Sequence, residues 1–440
     1  MRIASALLAV FLVPLLAGCA STPSSGPASN PGPTAGPALD DAAAAFDAGA
    51  ASSNIERFGQ WGGGTAEVDA WRDLLFVDTG ASVQILNMSD PSLPVEVGAI
   101  TLPSVEDVKV SDDGAWMFVG NDAEGSIAPL AGNGPLVGGF YVIDLADKSA
   151  PRLASYLPVG PRRGPHMVDY HRMPDGRELV LGANADVSIN LFDRATGTLT
   201  ELSRYQADLV TAFNRSPGVV DVLYQGWAHD MVARNEPDGR TLLDVANWDA
   251  GLRVVDISDP SNPQELGGWN DFPEGHEGNL HTVSTEWIGG RRITAGSVEV
   301  GFAVVGGTAY ATGTDRGILY LWDTTEPASI QLLGTWENPN GLPAGRDLVP
   351  GETITSTHNL QIEGGRIYMA HYGFGLFILD VSTAAAQADP PLLAFHQEPD
   401  DNVWDVVLGR GVLYSSGAAG VVALHYLPEH LGPAGLTSRA

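Results

Sequence analysis

One pattern recurs about every 56 residues from residue 54 onward, and it constrains this chain more than any single motif. Its clearest copy is GLRVVDISDPSNPQELGGW (251–269): an apolar run, an aspartate, a Ser-Asp-Pro-Ser-Asn-Pro turn and a second short run. Related pieces occupy 81–100, 138–157, 188–205, 317–336, 375–395 and, cut short, 420–430. The aspartate position reads Asn87, Asp144, Asp193, Asp256, Asp323, Asp380 and His425. An Asp or Asn there caps a turn by accepting a nearby backbone hydrogen bond.

Ahead of each piece lies another strand-like run: 74–77, 116–120, 178–182, 241–245, TAYAT (308–312), 366–370 and 412–416. A third run lies further upstream, which gives four strands, A to D, per unit. Asp-Gly pairs at 113–114, 175–176 and 238–239 suit the A–B hairpins. Four antiparallel strands repeated seven times predict an all-β fold, a seven-bladed β-propeller. Strand C is apolar at consecutive positions (Val254, Val255, Ile257), as a strand covered on both faces must be. The last unit stops after strand C, while IERFGQW (55–61) reads like the D strands QELGGW and IQLLGTW. Residues 55–61 are therefore expected to complete the seventh blade and close the ring, hiding the edges of an open sheet.

This topology puts the B–C and D–A loops on one face, here called the top. Long insertions are expected there at 121–138, 157–165, 206–228, 270–280 and 337–357, with one exception, an A–B insertion near 289–302. Elaborated loops on a rigid scaffold usually carry binding.

The pattern Gly-Leu-x-apolar-apolar-Asp-apolar-Ser-Asp-Pro-Ser-x-Pro resembles the LVIVD-repeat family of bacterial and archaeal surface proteins. The resemblance covers about 54–430 and is strongest at 229–269. It implies a propeller and a surface location, and brings no known reaction.

The chain opens MRIASALLAVFLVPLLAGCAS. Residues 3–16 form an apolar run of 14, short of the roughly 18 a membrane span needs and typical of a signal-peptide core. Leu16-Ala17-Gly18-Cys19 resembles the lipobox of prokaryotic lipoproteins, in which the cysteine takes a diacylglycerol. The expected organisation is a signal peptide (1–18), a lipidated Cys19 with a flexible Ser/Pro/Gly/Ala tether (19–53), the propeller (54–430) and a tail (431–440). The expected location is extracytoplasmic, in the cell envelope, with the membrane as partner through Cys19. The tether meets the start of a D strand, at the bottom, so the top face should point away from the membrane.

Charge and cysteine usage exclude several classes. With 53 acidic against 23 basic side chains the net charge is −30, which excludes a phosphate-neutralising nucleic-acid surface. One cysteine makes neither an intramolecular disulfide nor a Cys-based zinc cluster, so a metal in the folded domain must rely on His and carboxylate. The sequence has no G-x-S-x-G elbow, H-E-x-x-H or P-loop.

Four consecutive units carry a histidine at the start of strand A: His166, His229, His281 and His358. Units 2 and 7 have Glu106 and Trp404 there, and unit 1 has a residue near Glu67. Strand A is innermost in a propeller, so these side chains should ring the channel mouth. Three uses remain open: bonding between blades, holding a small ligand or a divalent transition metal, for which neutral imidazole is well suited, or lining the channel without a ligand. Further candidates for ligand binding on the same face are Trp248, Asp249, His371, Tyr372, Arg162, Arg163 and His276. The primary expectation is a non-catalytic propeller that binds a ligand or envelope protein at its top face. The alternative is a metal-dependent exported enzyme, oxidase- or lactonase-like, centred on the histidines. A structural scaffold is a third possibility.

Overall fold

A computed structural model describes residues 51–52, 54–122, 138–159, 164–208, 226–272, 278–299, 301–305, 308–312, 317–338, 356–397 and 402–427. These residues form seven four-stranded antiparallel sheets and one inserted hairpin. Strand β1 (Ile55–Trp61) comes first. Blade 1 is β2 (Val68–Trp71), β3 (Leu74–Asp78), β4 (Ser82–Asn87) and β5 (Val95–Thr101). Blade 2 is β6 (Val108–Val110), β7 (Trp116–Asn121), β8 (Gly139–Asp144) and β9 (Arg152–Pro158). Blade 3 is β10 (Met167–Arg172), β11 (Glu178–Asn184), β12 (Asp186–Asp193) and β13 (Thr198–Tyr205). Blade 4 is β14 (Asp230–Asn235), β15 (Thr241–Ala246), β16 (Leu252–Asp256) and β17 (Gln264–Trp269). Blade 5 is β18 (Leu280–Ile288), β19 (Arg291–Val298), β22 (Ile318–Asp323) and β23 (Gln331–Glu337), with hairpin β20 (Gly301–Val305) and β21 (Thr308–Thr312) inserted. Blade 6 is β24 (Leu360–Glu363), β25 (Arg366–Ala370), β26 (Leu376–Asp380) and β27 (Leu392–His396); a short helix, α1 (Ala384–Ala388), lies in its C–D turn. Blade 7 is β28 (Val403–Gly409), β29 (Val412–Gly417), β30 (Gly420–Tyr426) and β1.

The predicted ring closure is present: β1 pairs antiparallel with β30, Ile55 opposite Tyr426 and Trp61 opposite Val421. The seven A strands (β2, β6, β10, β14, β18, β24, β28) each touch the next, and β28 touches β2, so they line a central channel.

Blade 5 corrects two expectations. Strand B there is β19, and 308–312, read from sequence as strand B, is the second strand of the β20–β21 hairpin within the B–C connection. The expected A–B insertion near 289–302 is thus absent. The turn is Gly289-Gly290, both left-handed (φ 58° and 82°), and residues 291–298 are strand. Counting back from strand C finds the nearest β-competent run, and an inserted hairpin places the wrong one there. With this correction the blade 5 insertion starts and ends at the top, between β19 and β22.

Burial follows blade geometry. In β16, Leu252, Val254 and Val255 are fully buried; in β5 most residues are partly or fully exposed. A sheet sandwiched between two neighbours needs apolar residues on both faces near the axis and fewer at the rim. Six C strands end in the same turn, for example Asp256 Oδ1 accepting from Ser258 N–H and Asn87 Oδ1 from Ser89 N–H, both at 2.9 Å.

Each C–D pairing also carries a bulge, and a small D-strand residue faces the neighbouring blade beside it. A Cβ on Gly98, Gly267 or Gly59 would lie about 2 Å from the carbonyl oxygen of Lys148, Pro327 or Pro91 in the next blade's C–D turn. Where serine replaces glycine it donates to that neighbour instead, Ser155 Oγ to the Gly197 carbonyl and Ser203 Oγ to the Pro260 carbonyl, both at 2.6 Å. Gly59 of β1 thus meets blade 1 as Gly98 of blade 1 meets blade 2.

Polar staples repeat on the inner strands. The carboxylates of Asp107, Asp230 and Asp405 each accept a backbone N–H from the next blade, at Val168, Val283 and Val68. One step lower, Asp69 accepts from Val110 N–H and Asp169 from Ala233 N–H. Lys109 lies among these acids, its Nζ 3.0 Å from Asp107 Oδ1. Blades 4 and 5 share one further group, the fully buried Arg292. It donates to Glu236 (2.7 Å) and to both oxygens of Asp244 (2.9 and 2.7 Å).

Candidate functional site at the channel mouth

The four histidines form one continuous arc. Ring centroids are 4.7 Å apart for His166–His229, 3.9 Å for His229–His281 and 4.1 Å for His281–His358. Their backbones explain the placement. His166, His229 and His358 each extend an A–B ladder by one bond at the top, donating N–H to the carbonyls of Ala183, Ala246 and Ala370. His281 is the extra residue of a bulge between β18 and β19, a device that re-aims a side chain.

Two of these imidazoles have a fixed tautomer. His229 Nδ1 is 2.9 Å from the His281 carbonyl oxygen, and His358 Nδ1 is 2.6 Å from that of Trp404. A carbonyl only accepts, so each Nδ1 carries the proton and each Nε2 keeps its lone pair. Burial, reinforced by the neighbouring imidazoles, holds His229 and His281 well below the usual histidine pKa. Burial takes His358 down to about 4. At neutral pH these three rings are uncharged.

Carboxylates stand beside His281 and beside His166. His281 Nε2 is 3.6 Å from Glu299 Oε2, and Glu299 accepts from the Tyr372 hydroxyl. Burial pushes Glu299 up to about 7. His166 Nδ1 is 3.5 Å from Asp122 Oδ2 and 3.7 Å from Glu106 Oε2. Burial, with Asp122 beside it, raises Glu106 to about 7. Burial pulls His166 down, but its bond to Asp122 and the charges of Glu106, Asp122 and Glu299 prevail and raise it. Two sets of donor atoms approach within 4.8 Å of one another: His229, His281 and Glu299; and Glu106, Asp122 and His166.

Aromatic side chains cover the arc. Trp248 stacks on His229 at 5.3 Å, Trp227 lies 5.0 Å from His229 and 5.1 Å from Trp248, and Tyr372 packs edge-on to His358 at 5.2 Å. Trp248 and Tyr372 occupy equivalent B–C turns, each with left-handed backbone (φ 43° and 39°) and each bridged to the next blade, at Leu280 and Val403. Bulky residues hold that conformation only when their surroundings enforce it.

The other sequence candidates fall differently. Asp249 is buried and accepts from Asn279 N–H, a loop-to-loop bond. His371 is fully buried against Trp336, Phe374 and Phe377, away from the arc. Arg162, Arg163, His276 and Cys19 lie outside the described residues. Sequence reading missed Glu299, Asp122 and Trp227. Glu299 follows β19, whose residues the sequence pattern places in an A–B insertion, and Asp122 and Trp227 have no counterpart in other repeats to signal them.

Residues 244–271 match the family model described as the LVIVD repeat. That stretch of blade 4 is an LVIVD repeat. In this propeller the matched stretch runs from Asp244, the partner of Arg292, through Trp248 at the channel mouth to the end of blade 4. No curated protein matches the chain.

Proposed function

We propose that this LVIVD-repeat propeller is an exported, lipid-anchored protein that holds a divalent transition metal at its channel mouth and there binds a small ligand. His229, His281, His358 and Glu299 are the ligands. The observation that carries this reading is the pair of Nδ1–H bonds from His229 and His358 to carbonyls of the following blades. Metal-binding histidines almost always donate their other N–H in this way, which fixes the ring and presents a lone pair. The spacing agrees: donor atoms around a tetrahedral ion at about 2.0–2.2 Å lie roughly 3.3–3.6 Å apart, and His281 Nε2 and Glu299 Oε2 are 3.6 Å apart. A nitrogen-rich set suits Zn, Cu, Fe or Ni. Trp227, Trp248 and Tyr372 would form the walls for a ligand arriving from the top.

Lipid attachment rests on the Leu-Ala-Gly-Cys motif at 16–19. Because β1 starts at the bottom of blade 7, an anchored chain would direct the metal centre away from the membrane.

The experiment is metal analysis of the purified protein after chelation and reloading with Zn2+. Stoichiometric metal that is lost in a His229→Ala/His281→Ala variant supports the reading. A wild-type protein that takes up no metal refutes it. Cys19→Ser should move the protein from the membrane fraction to the soluble fraction; unchanged membrane attachment would refute lipid anchoring there.

One contact favours a second reading, a metal-dependent hydrolase. The Tyr372–Glu299 hydrogen bond sets a proton-exchanging pair beside His281. Hydrolysis of a simple lactone or ester that requires both Glu299 and the metal would establish it.

A further inference from the structure

We propose that Glu106, Asp122 and His166 form a second, oxygen-rich divalent-cation site, so that the channel mouth is a two-metal centre. The two-metal character rests on the proposed histidine centre; the second site itself does not.

All three side chains stand on strand ends rather than on free loops. Glu106 N–H bonds to the Gly120 carbonyl at the entry to β6, Asp122 directly follows β7, and His166 N–H bonds to Ala183 at the entry to β10. They come from two adjacent blades and converge because the ladders place their backbones in register. A ligand set on rigid elements is held more accurately than one on loops.

One donor atom from each of the three lies within 4.8 Å of the other two, close enough for all three to reach one ion. His166 Nδ1 lies 3.5 Å from Asp122 Oδ2 and 3.7 Å from Glu106 Oε2. Two carboxylates held side by side also concentrate negative charge that a divalent cation would neutralise.

The two sites differ in hardness and access. Two carboxylates and one imidazole favour Mn2+ or a similar harder ion, whereas the histidine arc favours Zn2+ or Cu2+. The His166 and Glu106 side chains are 30% and 31% exposed, while His229 and His281 are buried. The outer site is thus the one solvent reaches first, and the 4.7 Å contact of His166 with His229 joins it to the inner one.

The test is a Mn2+ and Zn2+ titration of the chelated, full-length protein, read by metal analysis and calorimetry. Wild type is compared with Glu106→Gln/Asp122→Asn and with His229→Ala/His281→Ala. The proposal expects two equivalents in wild type and one in each variant, Glu106→Gln/Asp122→Asn keeping Zn2+ at wild-type affinity. Two equivalents retained in Glu106→Gln/Asp122→Asn would overturn it, as would a single wild-type equivalent that this variant keeps. A single equivalent lost in that variant and kept in His229→Ala/His281→Ala would uphold the carboxylate site and remove the histidine centre. No bound metal would end both. Should the carboxylate variant fail to fold, Mn2+ electron paramagnetic resonance of wild type decides. A bound Mn2+ whose six-line spectrum broadens when Cu2+ is added to the histidine arc supports two adjacent sites; no bound Mn2+, or a bound Mn2+ spectrum that Cu2+ leaves unchanged, overturns the proposal.

Discussion

The imidazole of His229 donates its Nδ1 proton to the main-chain oxygen of His281, 2.9 Å away in the next blade. One histidine of the arc is therefore oriented by the backbone of the next, so the site and the packing of blades 4 and 5 are one structure. Zn2+ should stabilise wild type against unfolding by about 2.7 kcal/mol at a concentration a hundred times its Kd. His229→Ala should lose most of that increment, on top of about 2–5 kcal/mol of metal-free stability lost with the ring's packing. Thermal unfolding with and without Zn2+ separates the two effects. An equal Zn2+ increment in both proteins would contradict the ligand role.

Ring closure depends on Gly59. A side chain there collides with the Pro91 carbonyl, so Gly59→Val should destabilise the protein by about 1–3 kcal/mol, or more if β1 detaches. Gly62 has open space around its Cα, and Gly62→Ala should stay within about 0.5 kcal/mol. Urea unfolding of both variants checks this, and comparable stabilities would count against closure through β1.

Much of this was legible in the sequence because the signals are local and repeated. The Asx turn after six of the C strands needs only its own few residues, and with the truncated seventh unit these copies revealed blade number, strand order and closure. Blade 5 was misread because 308–312 alternates like a strand; it is one, but in the inserted hairpin. The histidines were visible for the same reason of repetition. Their acidic partners were not: Glu299 and Asp122 occur once each, and their meeting with His281 and His166 depends on which blades become neighbours. At His371-Tyr372 the left-handed turn sends the tyrosine to the mouth and the histidine inward, a choice composition does not encode.

Arg292 ties blade 4 to blade 5. Replacing it with methionine keeps much of the volume but leaves Asp244 and Glu236 buried without their cation, so Arg292→Met should cost about 3–5 kcal/mol. Denaturant titration measures it. A loss under about 1 kcal/mol would show that these carboxylates find other partners.

Asp78 supplies a pH test outside the proposed ligand sets, with Glu106 and Asp107 as its nearby charges. It is buried in β3, with Oδ1 bonded to Gly80 N–H and Oδ2 without a partner, and burial raises its pKa well above the usual carboxylate value. The folded state therefore holds the proton more tightly than the unfolded chain does. The stability this provides is complete below about pH 4 and is lost as pH rises toward and through the folded pKa. Asp78→Asn has no such proton to lose. Relative to wild type it should gain up to about 1.4 kcal/mol per pH unit across that window. A stability difference independent of pH between 4 and 8 would rule out this origin.

The central claim is a metal held by the histidine arc, and anomalous diffraction from crystals equilibrated with Zn2+ tests it most directly. The account predicts a peak at the zinc edge about 2.0–2.1 Å from Nε2 of His229 and His358, within reach of His281 and Glu299. A map with no peak among these residues, or with zinc only on surface carboxylates, would contradict it.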